Sequence, residues 1–467
     1  MKFTVLSHAG MLVEAGGVKL VTDPWILGSS YWRSWWNYPK PATFSTDGIE
    51  YIYLTHMHWD HFHGPSLRKF PPSVTFLVPQ APTGCLLNDL RDFPCKSIIE
   101  LPHGKTLQLS PTLRITSYQQ GLNTDSALII DDGNTVLANL NDCKLAGAPL
   151  RQVLRRHPKI DFLFRSHSSA QPYPHCVEAE DPDDLQYRKN EDYVADFVES
   201  ATLIKPRYAI PFASNNCFLH RETFRFNDLV VNPLDVKLHF DRQERGSAEC
   251  VVMVAGDSWD DQEGFHIRAQ DFFTNKEQRL REYAQETAPI LEEYYKREST
   301  AKVTFPAFSK YFNDFMSSMP WFLRPVFKPV VVFEPEGQNN SWVLDFRQRR
   351  VYEANEAVVD YDVKFRAHPA VLRDCVQRKM FTLFFPSKRL RISLKRGHVK
   401  DYFIFEQLFD LYEYGLLPLR NCFSRRSLLV WLRRWREVVA MIALFFRVLW
   451  SRNRRDGISD LVPRTTL

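Results

Sequence analysis

Four side chains of the kind that bind transition metals lie close together near the start of the chain: His56, His58, Asp60 and His61. They follow the apolar stretch 49–54, which predicts a buried strand. Alternate side chains of an extended segment point to one side, so His56 and His58 project together. Asp60 and His61 then turn towards a second position beside the first, so that one cluster can contribute to two adjacent metal sites. Imidazole and carboxylate suit zinc, iron or manganese, whereas a chance group of exposed histidines fits this ordered spacing poorly.

The segment before this cluster predicts a β-hairpin. Gly16 and Gly17 form its turn, and its second strand ends at Asp23 and Pro24. The hairpin and the His-x-His-x-Asp-His order together resemble the metallo-β-lactamase fold, which implies an αββα sandwich with a metal centre. Asp23 has two interpretations. It either orients a metal-bound histidine or is only the polar end of a strand, and the resemblance favours the first.

A second hairpin pattern at residues 125–138 leads to Asn141, Asp142 and Cys143. The resemblance implies that Asp142 bridges two metal ions, because the fold usually places Gly-Asp-Thr at this strand end. The alternative is that Asp142 caps the start of a helix at Lys144.

Two histidines that are usual in this fold are missing. Residues 117–125 contain no histidine. In Pro211-Phe212-Ala213, Ala213 occupies the place of the histidine in the Pro-x-His sequence that is usual in the fold. His167 either replaces one of them or is a loop histidine near a substrate phosphate or carboxylate. A ligand set with carboxylate, amide or water favours two iron ions over two zinc ions. The predicted metal ligands are His56, His58, Asp60, His61, Asp142 and His167, and the predicted catalytic residues are Asp60, Asp142 and His167.

A closer resemblance is carried by the segments 23–36, 54–67, 141–143, 205–213 and 257–259. They are similar to the metal domain of the CMP-N-acetylneuraminate hydroxylases, a family that resembles this chain in lacking the last histidine. The resemblance implies an oxygen-activating hydroxylase, or monooxygenase, with a dinuclear iron centre.

Those hydroxylases carry a Rieske cluster held by C-x-H and C-x-x-H ligands. This sequence starts at the metal domain and has one C-x-x-H, Cys217 to His220, but no C-x-H. The resemblance therefore implies an external electron donor, a reductase or a ferredoxin-like protein. It does not transfer a specificity for sialic acid.

Two further functions stay open. One is a metallohydrolase acting on a phosphodiester, an ester or a lactone, including a phospholipid-like substrate, through metal-activated water. The other is a degenerate, non-catalytic member of the fold that binds a ligand, against which the complete histidine cluster argues.

The composition of the chain indicates its partners and its cellular compartment. The chain has 467 residues, a formal charge of +5 and eight cysteines. That charge is mild for the length, so no nucleic-acid partner is predicted. The cysteines form no C-x-x-C pair, which indicates a reducing compartment. Strand-like sequence from Lys2 and the absence of a long apolar run predict a cytoplasmic protein.

The predicted fold class is α+β, and we expect five segments along the chain. They are a metal domain at 1–240, a helical extension at 241–330, a smaller α+β unit at 331–423, a basic amphipathic helix at 424–451 and a disordered tail at 452–467.

The helix predicted at 424–451 places arginines on one half and tryptophan, leucine and phenylalanine on the other. This pattern is typical of a helix that lies in an anionic membrane surface. It predicts peripheral attachment at the inner face of the membrane. The alternative is a terminal helix that docks on the protein core or on a partner subunit.

Overall fold

The computed structural model describes residues 1–121, 125–243, 248–268, 271–354 and 359–450, with side chains of the last helix as far as Arg447. The predicted tail at 452–467 lies outside the described residues. The strands of the described chain are β1 (Lys2–Val5), β2 (Met11–Ala15), β3 (Val18–Thr22), β4 (Ser29–Ser30), β5 (Trp35–Asn37), β6 (Tyr51–Tyr53), β7 (Thr75–Pro79), β8 (Ser97–Leu101), β9 (Thr106–Gln108), β10 (Arg114–Gln120), β11 (Asp125–Asp131), β12 (Val136–Asn141), β13 (Phe162–Arg165), β14 (Val177–Ala179), β15 (Tyr208–Pro211), β16 (Asn216–Phe218), β17 (Glu249–Cys250), β18 (Ser258–Asp260), β19 (Gly264–His266), β20 (Val330–Pro335), β21 (Ser341–Asp345), β22 (Arg350–Ala354), β23 (Val363–Ala367) and β24 (Leu390–Leu394).

The helices of the described chain complete its secondary structure. The α-helices are α1 (Gly64–Leu67), α2 (Cys85–Leu90), α3 (Gly147–Arg156), α4 (Asn190–Ile204), α5 (Pro233–Asp241), α6 (Asp271–Thr274), α7 (Lys276–Ser299), α8 (Phe305–Ser318), α9 (Pro369–Arg378), α10 (Phe381–Phe384), α11 (Val399–Glu413), α12 (Arg425–Arg433) and α13 (Trp435–Trp450). Short 3-10 helices cover Pro182–Leu185, Phe224–Leu229, Trp321–Leu323 and Leu419–Phe423. Within the described part of the chain, no helix combines the length and the apolar character needed to cross a bilayer.

Two large sheets form the first half of the molecule. One has the order β19-β18-β1-β2-β3-β6-β7-β8, and the other has the order β17-β15-β13-β12-β11-β10-β9. The central strands of each sheet are nearly continuous apolar runs. In β11, for example, every residue after Asp125 is buried. Such strands need cover on both faces.

The two sheets face each other through an apolar core that includes Phe3 of β1 and Phe162 and Phe164 of β13. Helices α1 and α2 cover the outer face of the first sheet, and α3, α4 and α5 cover the outer face of the second. The result is a helix–sheet–sheet–helix sandwich, as the resemblance to the metallo-β-lactamase fold implies.

A third sheet, of order β14-β24-β23-β20-β21-β22, packs against α8, α9, α10 and α11 in a core rich in phenylalanine. Strand β14 comes from the first half of the chain and pairs in parallel with β24. Strands β17, β18 and β19 lie beyond residue 240 and extend the two sandwich sheets. Strands from both sides of residue 240 thus share the same sheets. The domain boundaries predicted at residues 240 and 330 stay predictions.

The C-terminal segment differs from the single helix predicted for 424–451. It is divided into α12 and α13, which meet at Arg434. Arg434 is buried and pairs with Glu437, and Arg426 pairs with Glu100 of the sandwich. The prediction of an uninterrupted basic half is thus wrong for Arg426 and Arg434, because carboxylates of the folded chain neutralise both side chains. Trp450, part of the predicted apolar half, has no described side chain.

One buried cation joins the third sheet to the sandwich. Arg389, just before β24, is 2 % exposed. Its guanidinium donates to both carboxylate oxygens of Glu222 at 2.9 and 3.0 Å, and it also pairs with Glu298 of α7. It donates in addition to the carbonyl oxygen of Trp32 at 3.2 Å. Three separate segments therefore converge on one side chain.

We predict that Arg389→Ala lowers the free energy of unfolding by about 3–5 kcal/mol, because it leaves two carboxylates without their buried partner. Urea denaturation followed by tryptophan fluorescence measures this change. Arg391→Ala, an exposed position two residues further on in β24, is the control and should shift the free energy by less than about 0.5 kcal/mol. Equal unfolding midpoints for the two variants would contradict the assigned role.

Candidate metal centre

The predicted ligands meet where strands of both sandwich sheets end. His56 follows β6 of the first sheet, and Asp142 follows β12 of the second. His8 follows β1, in the loop that precedes β2. Because each side chain leaves the end of a strand buried in the sandwich, the position of each is set by the packing of the two sheets.

The first ligand group contains His56, His61 and Asp142, each with one ligand atom within 4.8 Å of the others. Nε2 of His61 lies 3.3 Å from Oδ2 of Asp142. His58 adjoins this group, with its Nδ1 2.9 Å from Nε2 of His56. These four predicted ligands are therefore brought together by the structure.

The second ligand group contains His8, Asp60 and His61. Oδ2 of Asp60 lies 3.1 Å from Nε2 of His8 and 3.4 Å from Nε2 of His61. His8 is not among the ligands predicted from the sequence. Its signal was its position directly after the first strand, in the quartet Ser-His-Ala-Gly.

His8 also lies beside the position of the missing last histidine. The backbone N–H of Ala213 donates to the carbonyl oxygen of His8 at 3.0 Å, so the two residues are direct neighbours across the sandwich. An imidazole from the loop after β1 is thus present where the strand ending at Pro211 supplies only alanine.

Asp23 holds the ring of His61 in place. Its Oδ2 lies 2.9 Å from Nδ1 of His61 and accepts a hydrogen bond from Asn141 at 2.6 Å. The same carboxylate accepts from the backbone N–H and the hydroxyl of Thr55 at 2.8 and 2.7 Å. The contact with Asp23 leaves Nε2 of His61 facing Asp60 and Asp142. Of the two interpretations of Asp23, the structure therefore shows the orienting one.

Asp60 is held by a second buried group, the hydroxyl of Tyr31. This hydroxyl donates to Oδ1 of Asp60 at 2.5 Å, which leaves Oδ2 directed at the two histidines. Tyr31 was missed by the sequence reasoning, since nothing in its local pattern links it to Asp60, 29 residues further along.

The protonation states suit metal ligation. Burial lowers the pKa of both His56 and His58 to about 4, so both rings are neutral at pH 7. Burial raises the pKa of Asp60, but the charge of His61 outweighs it and holds that pKa well below its usual range. Burial acts in the same way on Asp142, and the close contact with His61 brings its pKa down to about 2.

His61 is the exception among the histidines. Burial lowers its pKa, but the carboxylates of Asp60 and Asp23 outweigh it and raise the pKa well above its usual value. The carboxylates thus stabilise a positive charge at Nε2 of His61, between Asp60 and Asp142. A metal cation bound at Nε2 would replace the proton there.

Several buried nitrogen atoms in this region lack a hydrogen-bond partner among the described residues, namely both ring nitrogens of His8, both of His167, and Nε2 of His61. An unpaired buried polar atom is costly. The imidazole nitrogens of His8 and His61 lie near the carboxylates of Asp60 and Asp142 but do not form hydrogen bonds with them. Such a set of nitrogen and oxygen donors is typical of a metal centre, so these residues fit a bound metal ion.

His167 is not a member of either ligand group. It is fully buried, its backbone N–H donates to Oγ of Ser214 at 3.0 Å, and burial lowers its pKa to about 3. Among the described residues, its ring joins neither group of converging ligand atoms. Its predicted roles as ligand and catalytic residue stay predictions.

Asp125 is a further carboxylate beside the centre. Burial raises its pKa, while the charge of His58 lowers it and that of Asp142 raises it. It opens β11, opposite Gln120 of β10, in the stretch where the usual histidine is missing. The sequence reasoning used Asp125 only as the start of a strand.

Comparison with known sequences gives distant relatives, and no family model matches the chain. A Mycolicibacterium smegmatis protein, provisionally named a Rieske 2Fe-2S iron–sulfur protein, is 25% identical over 389 residues, 76% of this chain and 73% of that protein. The cytidine monophosphate-N-acetylneuraminic acid hydroxylase of Cricetulus griseus is 26% identical over 152 residues, 31% of this chain and 27% of the hydroxylase. The chain thus spans only about a quarter of the length of that hydroxylase.

Among solved structures, a metallo hydrolase from Ignicoccus hospitalis is 18% identical, with a TM-score of 0.39 over 55% of this chain and 96% of its own. The diiron β-hydroxylase CmlA from Streptomyces venezuelae is 14% identical, with a TM-score of 0.34 over 53% of each chain. These are similarities of low degree.

The fold class follows from the molecule itself. Two facing sheets with helices on both outer faces, and a His-x-His-x-Asp-His segment at a strand end between them, define the metallo-β-lactamase fold. The resemblance stated from the sequence is thereby confirmed at the level of the fold.

We predict that Asp60→Ala and His58→Ala each remove most of the bound metal while the fold is retained, because Asp60 is a buried carboxylate of the second ligand group and His58 lies against His56 of the first. Metal content by mass spectrometry and far-ultraviolet circular dichroism measure the two properties. Full metal retention by both variants would show that the ions bind elsewhere.

We also predict that His8→Ala lowers the metal content by about one ion per chain, since His8 belongs to the second group only. The matched control is His175→Ala, a half-buried histidine whose ring contacts Oδ1 of Asn190 at 3.2 Å outside both groups. An unchanged metal content in His8→Ala would assign its ring a purely structural role.

Proposed function

We propose that this protein is a metal-dependent, oxygen-activating hydroxylase that uses two iron ions and an external electron donor. The observation that carries the proposal is the composition of the two ligand groups, each of which contains two imidazoles and one carboxylate and which share His61. Two histidines and one carboxylate with open positions are typical of non-haem iron oxygenases. The distant sequence similarity to a hydroxylase supports the same chemistry.

The side chains divide the work at such a centre. Asp60 and Asp142 supply negative charge, and His56, His58, His61 and His8 supply nitrogen donors. A bound iron pair would supply the activation of oxygen. Asp23 and Tyr31 fix the directions of His61 and Asp60, so that the ligand atoms are in place before a metal arrives.

The stoichiometry of hydroxylation requires an electron donor. Hydroxylation inserts one atom of O₂ into a C–H bond and reduces the other to water, which consumes two electrons and two protons. We therefore propose a reductase or a ferredoxin-like protein as the source of the electrons.

A metallohydrolase is the second candidate, because two histidines and one carboxylate also form catalytic zinc sites. In that case a metal-activated water would attack a phosphodiester, an ester or a lactone. The identity of the metal and the need for oxygen separate the two candidates.

We predict that protein purified without oxygen contains about two iron ions per chain, and that the reduced protein consumes O₂ when it is exposed to air. Elemental analysis and Mössbauer spectroscopy of iron-57-enriched protein, together with an oxygen electrode, measure this. The control is Asp60→Ala, which should lose both signals. Two zinc ions, with turnover of an ester or phosphodiester under strict anaerobiosis and without reductant, would establish the hydrolase instead.

A further inference from the structure

Exposed apolar side chains are concentrated at the C-terminal end of the described chain. Of the 16 large apolar side chains that are exposed among the described residues, ten lie between Leu419 and Phe446. Leu432, Trp435 and Val439 are each more than half exposed. Such a patch marks a surface that contacts something other than water.

On α13 these side chains form one stripe. Trp435, Val439, Ile442 and Phe446 recur every three or four residues and share one side of the helix. The opposite side packs on the sandwich, where Glu437 accepts from the backbone N–H of Gly121 at 2.6 Å. The helix is therefore held to the protein by one side and presents an apolar stripe on the other.

The surface extends beyond α13. The ring of Phe322 lies 6.2 Å from that of Phe445, and the ring of Trp321, 76% exposed, lies 5.8 Å from that of Phe322. Tertiary packing thus adds an aromatic pair from a distant segment to the stripe. We call this combined surface, at 321–322 and 428–446, the apolar ridge.

A basic cleft opens beside the apolar ridge. It has a volume of about 320 Å³, lies between α3 and α13, and is lined by Ala148, Arg151, Leu154, Arg155 and Arg436. The three arginines are exposed, and no hydrogen bond or ion pair joins them to another described residue. Arg436 lies roughly 100° around α13 from the stripe, so the cleft flanks the ridge.

The charges around the cleft have one sign. Residues 143–160 contain five lysines and arginines and no acidic residue. Residues 419–447 contain seven arginines and one acid, Glu437, which is buried against Arg434. Three arginines that converge without carboxylate partners suit the oxygens of a phosphate.

We propose that the apolar ridge inserts into the surface of an anionic phospholipid membrane and that the cleft formed by Arg151, Arg155 and Arg436 binds a lipid headgroup phosphate. A ridge rich in tryptophan, leucine and phenylalanine beside cationic side chains is the composition of an interfacial membrane contact. A second copy of this chain would bring two cationic faces together, which like-charge repulsion disfavours. This inference is independent of the proposed hydroxylase activity.

The test uses the full-length protein and vesicle co-sedimentation. We expect binding to vesicles of phosphatidylcholine and phosphatidylglycerol in equal parts, and little binding to phosphatidylcholine alone. The variant Arg151→Gln/Arg155→Gln/Arg436→Gln should bind the mixed vesicles on the order of 100-fold more weakly, since each arginine near an anionic surface contributes about fivefold.

A control variant removes the same charge elsewhere. Arg242→Gln/Arg378→Gln/Arg391→Gln changes three exposed arginines outside the cleft and should bind like the wild type. Equal weakening in both triple variants would overturn the headgroup cleft, because net charge alone would then account for binding.

A second pair of variants tests the ridge. Trp435→Ala/Val439→Ala/Ile442→Ala should lose the part of vesicle binding that persists at high salt, since salt screens the arginines but not apolar burial. Leu238→Ala/Ile290→Ala, at exposed apolar positions on α5 and α7, should keep it. Identical salt-resistant binding in all variants would overturn the role of the ridge.

Two further outcomes would replace the lipid with another ligand. A doubled mass in light scattering without vesicles, reversed in the ridge variant, would assign the ridge to a second copy of the chain. Saturable binding of inorganic phosphate at constant ionic strength, without any binding to anionic vesicles, would assign the cleft to a soluble phosphate compound.

Discussion

A single buried carboxylate, that of Asp23, connects the two sheets of the sandwich at the metal centre. It is fully buried and accepts four hydrogen bonds, from the backbone and hydroxyl of Thr55, from Asn141, and from the ring of His61. Thr55 follows a strand of the first sheet, while Asn141 ends a strand of the second. A buried carboxylate tolerates such a site only when its oxygens are satisfied. The register of the two sheets and the direction of a ligand are therefore set by the same four contacts.

The chemistry of the centre depends on this arrangement. Because Asp23 occupies Nδ1 of His61, only Nε2 remains to face Asp60 and Asp142. Tyr31 has the same effect on Asp60 by occupying Oδ1. Two groups outside the ligand set thus leave each ligand one free atom, and these free atoms converge. The centre is preorganised by hydrogen bonds rather than by the metal.

The segment before β24 and the helix α13 are both bound by buried ion pairs and hydrogen bonds near this centre. Arg389 links the third sheet to the segment that also carries Tyr31 and Trp32. Arg434 and Glu437 hold the backbone of Gly121, which lies next to the stretch that precedes Asp125. The segment before β24 and the helix α13 thus contact Trp32 and Gly121, which are close in sequence to Tyr31 and Asp125 at this border of the metal centre. A membrane contact through α13 would place that border near the lipid surface.

Local pattern determined the parts of the molecule that depend on neighbouring residues. The alternation of His56 and His58, the cluster that follows them, and the hairpin that ends at Asp23 are short-range signals. Through the family resemblance that they carry, they predicted the fold and most of the converging ligands. Strand ends also located Asp142, because a ligand at the end of a buried strand has its position determined by that strand.

Only the tertiary structure decided which distant residues complete the centre and the surface. His8 and Tyr31 meet Asp60, and Asp125 lies near His58, through tertiary packing of segments that are far apart in sequence. No local pattern encodes such contacts. The same reason explains the C-terminal helix. Its sequence showed an amphipathic helix, but folding turned Arg426 and Arg434 inward and brought Arg151 and Arg155 of α3 to its side. Side-chain type and spacing define a helix face, whereas the chain that packs against it decides which of its charges remain free.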